Sequence, residues 1–91
     1  MMDISEQVTV VNKLGMHARP AAAMVQTVLK FESDVHLEAQ GHRVNAKSIM
    51  GLLTLAAAQG SVLMVNCRGN DARAAMDAVQ ALFASGFGEE I

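Results

Sequence analysis

Asp34-Val35-His36-Leu37-Glu38-Ala39 alternates strictly between polar and apolar side chains. Successive residues of a strand point to opposite faces, so this stretch is a strand with one wet side and one buried side. It predicts Val35, Leu37 and Ala39 facing in, and Asp34, His36 and Glu38 facing out. A chain that holds such a strand must supply partners for its edges and a layer to cover its apolar face.

The partners are visible in the same terms. Gln7-Val8-Thr9-Val10-Val11 is β-branched and alternating, with Val8 and Val10 inward. Gln40-Gly41-His42 reads as a turn, and Arg43-Val44-Asn45-Ala46 as the short strand after it. Val62 to Cys67 is a fourth strand, with Leu63, Val65 and Cys67 inward. Cys67 is then a small core residue, and as the single cysteine it has no disulfide partner in the chain, which fits a reducing compartment.

The covering layer comes from three segments of helical period. Ala21, Met24, Val25 and Val28 mark a first helix from about residue 18 to about 30, with Lys30 at its negative end. Ser48 is a good N-cap for a second, carrying Ile49, Leu52, Leu53 and Ala56 on one stripe and Gly51 within it. Gly69-Asn70-Asp71 forms a turn and cap for the third. There Ala72, Ala75, Met76, Val79, Leu82 and Phe83 repeat through more than three turns, up to a C′ residue at Gly86. Glu89-Glu90-Ile91 is expected to fray. The order β-α-β-β-α-β-α and the alternation of every strand predict a two-layer α+β fold, one domain over residues 1–91.

Composition narrows the function. Hydrophobic residues make up 52% of the chain, enough for a core without many aromatics. The net charge of −2 and the lack of a basic run disfavour nucleic acid, and the aromatic platform of single-strand binders is missing. The opening residues lack a signal peptide's charged and apolar regions, and no apolar run approaches the roughly 20 residues that cross a bilayer. The expectation is a cytoplasmic protein that does not insert into membranes. His36 and His42 have no companions at ligand spacing, and neither a metal nor another cofactor is expected.

Chemistry concentrates in Asn12-Lys13-Leu14-Gly15-Met16-His17-Ala18-Arg19-Pro20. Pro suits the first turn of a helix, so Pro20 puts the helix start near Ala18 and His17 at or beside the N-cap. Unpaired N–H groups and the positive end of the macrodipole make that position an anion site, and they favour the neutral, nucleophilic imidazole. Once the ring accepts a phosphoryl group, the same amides and the Arg19 guanidinium can hold its oxygens.

Asn12 to Ala21 resembles the active-site segment of HPr, the small phosphocarrier of the bacterial phosphoenolpyruvate-dependent phosphotransferase system. Lys47-Ser48-Ile49-Met50-Gly51-Leu52-Leu53 resembles the family's second motif, around a regulatory serine. The resemblance extends over nearly the whole chain and implies an HPr-like open-faced sandwich, four antiparallel strands under three helices. It implies that His17 takes a phosphoryl group on Nδ1 from phosphorylated enzyme I and passes it to an enzyme IIA domain. Arg19 would contact the phosphoryl group, Pro20 and Ala18 would shape the helix start, and Gly15 would match the glycine of the turn. Such a protein is a carrier rather than an enzyme with its own small substrate. Ser48 matches a position that an HPr kinase/phosphorylase modifies in many relatives, and a plain N-cap is the alternative. Met16, Met50 and Leu53 are the expected docking residues.

The branch is mixed. Residues 12–20 and Leu82-Phe83-Ala84-Ser85-Gly86-Phe87 resemble the nitrogen-related branch, whereas Lys47 to Gly51 resembles the sugar-linked, kinase-regulated one. Two other readings compete with a carrier: a binding module switched by phosphorylation of Ser48, with His17 idle, and an interaction domain without phosphorylation.

Overall fold

A computed structural model describes all 91 residues, Met1 to Ile91. Four strands, β1 (Met2–Thr9), β2 (Asp34–Ala39), β3 (His42–Asn45) and β4 (Val62–Gly69), form one sheet in the order β1-β4-β2-β3. Every adjacent pair is antiparallel, with registers such as Val8 opposite Leu63 and Leu37 opposite both Val65 and Val44. The helices α1 (Ala18–Val28), α2 (Ile49–Thr54) and α3 (Ala72–Ala84) cover one face. This is the expected open-faced α+β architecture.

The core follows the alternation. Val8, Val35, Leu37, Leu63, Val65 and Cys67 are buried from the sheet, and Ala21, Met24, Val28, Leu52, Met76, Val79 and Phe83 meet them from the helices. Burial pushes the Cys67 thiol up to about 11, as an apolar pocket disfavours thiolate.

Several boundaries differ from the sequence reading, each for a physical reason. β1 begins at Met2 and pairs with β4 along its whole length, because the centre strand offers backbone partners that local propensity does not reveal. Its Glu6 lies on the half-buried row of the strand, matched by Arg73 Nη1 at 2.8 Å and Gln80 Nε2 at 2.6 Å from α3. The hairpin loop is only Gln40-Gly41, both with positive φ, so His42 is already paired in β3 and its Nε2 meets Thr54 Oγ1 at 2.9 Å. Helix α1 stops at Val28, two residues short of Lys30.

The α2 helix is short and buries less of its stripe than the period predicts. Leu52 alone is buried, while Ile49 and Leu53 are exposed and Ala56 lies beyond the helix with φ of 49°. A helix of six residues turns too little to bury more than one side chain on a flat layer. Asp71 occupies the N-cap position of α3, but its carboxylate makes no cap bond. It accepts instead from the Glu32 and Ser33 amides, both at 2.9 Å, and from Ser33 Oγ at 2.5 Å, tying the α1–β2 loop to the start of α3.

Candidate functional site around His17

The turn between β1 and α1 is built on Asn12. Its side chain is fully buried and Nδ2 donates to the Gly15 carbonyl at 2.9 Å, while the Gly15 amide returns to the Asn12 carbonyl at 3.2 Å. Gly15 takes φ of 71°, a region that glycine enters without steric cost. The next amide, Met16, donates to the Ala57 carbonyl at 2.9 Å, which fastens the turn to the segment leading into β4.

His17 follows as the N-cap of α1, with extended backbone (φ −93°, ψ −170°). Its carbonyl accepts from the Ala21 amide at 3.0 Å, the first bond of the helix. Pro20 brings no N–H, so the Ala18 and Arg19 amides are the donors left open in the first turn. Ala18 and Arg19 are exposed, and Pro20 is buried beneath them. The imidazole is 36% exposed, open to a visiting group yet anchored at its back. Arg19 makes no hydrogen bond or ion pair and reaches the cluster through its charge, which acts on Glu89.

Glu89 was missed by the sequence reading. Residues 89–91 do not fray. Glu89 Oε1 and Oε2 both lie 2.9 Å from His17 Nε2, and Asn12 Nδ2 donates to Oε1 at 3.0 Å. The His17 hydrogen bond, followed by the one from Asn12, holds the Glu89 carboxyl below its ordinary range against the opposing effect of burial. The Glu90 carbonyl accepts from the Lys13 amide at 2.9 Å, and Ile91 covers Gly86. A one-turn 3-10 element at Gly86–Gly88 with left-handed φ angles of 62°, 57° and 72° turns the chain back toward the site. Phe87 bears that conformation without being glycine, with its ring buried edge-on against Phe83 at 4.9 Å. The sequence signal was Gly-Phe-Gly ahead of paired acids, which marks a reversal but not its destination.

The remaining candidates sit on or near α2. Ser48 is its N-cap, with Oγ accepting from the Gly51 amide at 3.0 Å. Met50 and Leu53 are 73% and 36% exposed, whereas Met16 is 5% exposed and belongs to the core. That burial corrects the placing of Met16 on a docking surface: its amide is pinned to Ala57 and its side chain is drawn inward. Leu14, exposed in the turn itself, and Ile49 are apolar surface residues that the sequence reading passed over.

Comparison with known proteins identifies the family. The family model described as "PTS HPr component phosphorylation site" matches residues 4–85. The chain is 48% identical over 87 residues to the phosphocarrier protein HPr of Xylella fastidiosa, covering 96% of this chain and 98% of that one. It is 44% identical over 86 residues to HPr of Cupriavidus necator, covering 94% and 97%. The crystal structure of HPr from Thermoanaerobacter tengcongensis superposes with a TM-score of 0.89 at 43% identity, covering all of both chains. With fold and relatives in agreement, the chain belongs to the HPr family of phosphocarrier proteins of the phosphotransferase system.

Proposed function

We propose that His17 is the phosphoryl way-station of this carrier. It accepts the group from phosphorylated enzyme I, which draws it from phosphoenolpyruvate, and passes it to an enzyme IIA domain. One observation carries the assignment to His17. His17, its imidazole partly exposed, holds the N-cap position of a helix whose first two amides, Ala18 and Arg19, are open, with the Arg19 guanidinium on the same turn. Those amides and that cation supply donors for phosphoryl oxygens. Gly15, Pro20 and Ala18 shape the turn, and the exposed Met50 and Leu53 give partners a small apolar landing surface suited to brief encounters. The reading places the protein in the cytoplasm, and no helix is long and apolar enough to cross a membrane.

The test uses radiolabelled phosphoenolpyruvate and a cognate enzyme I. Acid-labile label on the wild type, absent from His17→Ala, is expected. Equal labelling of His17→Ala would refute the assignment.

A second reading concerns Ser48, whose Oγ caps α2 through the Gly51 amide. A phosphate on that oxygen would face the same helix end, where negative charge is favoured. An HPr kinase/phosphorylase with ATP should then place acid-stable label on Ser48. Under the alternative of a switched binding module in nitrogen-branch signalling, that label alone would govern partner binding and His17→Ala would change nothing.

A further inference from the structure

Phosphoryl transfer uses one ring nitrogen of His17, and the structure occupies the other. Nε2 points between the two oxygens of Glu89, 2.9 Å from each, and the carboxylate is itself sheltered, with 10% of its side chain exposed. Asn12 Nδ2 holds Oε1 from the other side while binding the Gly15 carbonyl, so the carboxylate is locked to the turn that carries His17. The left-handed turn at Gly86–Gly88 brings Glu89 there, with the Lys13–Glu90 backbone bond beyond it. A carboxylate accepts hydrogen bonds and donates none, so in the neutral ring the hydrogen lies on Nε2 and the lone pair on Nδ1.

We infer that Glu89 is a positioning residue, fixing the Nε2–H tautomer of His17 and thereby making Nδ1 the atom that exchanges the phosphoryl group. The inference rests on the carrier reading above. The step balances without moving a proton. The Nδ1 lone pair forms the N–P bond as the donor's bond to phosphorus breaks, and that electron pair leaves with the donor. The ring then carries phosphorus on Nδ1, hydrogen on Nε2 and a positive charge that faces the Glu89 carboxylate. In the second transfer the N–P pair returns to Nδ1, and the neutral ring keeps the same Nε2 hydrogen. Without the carboxylate that positive charge would have no partner, and a ring that gave up the hydrogen would be a poorer leaving group. Glu89 thus serves both acceptance and donation through His17, without touching phosphorus.

The test combines ring-nitrogen NMR with transfer kinetics on wild type, Glu89→Ala and Glu89→Gln. Wild type is expected to show one tautomer, protonated on Nε2. In Glu89→Ala the tautomer ratio should fall by about tenfold, the worth of a charge-assisted hydrogen bond, and both transfer steps should slow. Glu89→Gln keeps an acceptor oxygen but not the charge, so the tautomer should persist while donation to the enzyme IIA domain slows more than acceptance. A purely structural role would move neither the ring shifts nor that split. Unchanged ring shifts and rates in Glu89→Ala, with His17 still labelled, overturn the inference alone. A wild type that takes no label on His17 overturns the carrier reading instead. Should Glu89→Ala lose its fold, the wild-type tautomer and the Glu89→Gln split decide: an Nδ1–H tautomer, or equal slowing of both steps, sinks the proposal.

Discussion

The α-carbon of Gly15 lies against the carbonyl oxygen of Ala57, close enough that a β-carbon at residue 15 would overlap it. The same oxygen accepts the Met16 amide at 2.9 Å. The turn that carries His17 is therefore docked backbone to backbone onto the α2–β4 connection.

Gly15→Ala should accordingly lose stability twice, through its positive φ and through that overlap. The left-handed conformation alone costs about 1–2 kcal/mol. Urea unfolding should show a loss of at least that size, and a change of a few tenths would mean that the contact yields freely.

Gly51 makes the opposite case. It lies inside α2, and a β-carbon there would meet Ser48 Oγ and Val44 Cβ at 3.4 Å, ordinary packing distances. Gly51→Ala should stabilise the protein by about 0.5–1 kcal/mol, the entropic cost of glycine in a helix. A lower midpoint in the same urea experiment would show that α2 cannot take the added methyl.

Ser48→Ala removes the cap that satisfies the Gly51 amide. The loss should be about 1 kcal/mol, which lowers the melting temperature of a domain of this size by about 4–8 °C. Calorimetry at one pH tests it, and an unchanged melting temperature would leave Ser48 without a capping role.

Asp71 gives a pH dependence. The Ser33 hydroxyl, followed by the Glu32 amide, holds its carboxyl below the ordinary range. A depressed folded value means stabilisation that is present above the unfolded value, about 3.9, and lost as pH falls through the folded one. Asp71→Asn should therefore be less stable than wild type at pH 7, with the gap closing below about pH 4. Acid titration of both by circular dichroism checks the sign, and a gap that widens in acid would contradict it.

The alternation of Val35 and Leu37, the period of Ala75, Met76, Val79 and Phe83, and the placement of Pro20 were enough to order the elements and choose the buried face. Those features are local: each states the conformation a short stretch prefers and the side it hides. The start of α1 at Ala18, with His17 as its N-cap, was legible for the same reason, because a helix start is written in its own few residues. Tertiary structure alone decided the rest. Glu89 meets a ring 72 residues away, Asp71 abandons its helix for a loop 38 residues back, and Met16 turns into the core. Such contacts depend on which ends of separate elements converge once the sheet has closed its order, and no periodicity within a segment encodes that distance.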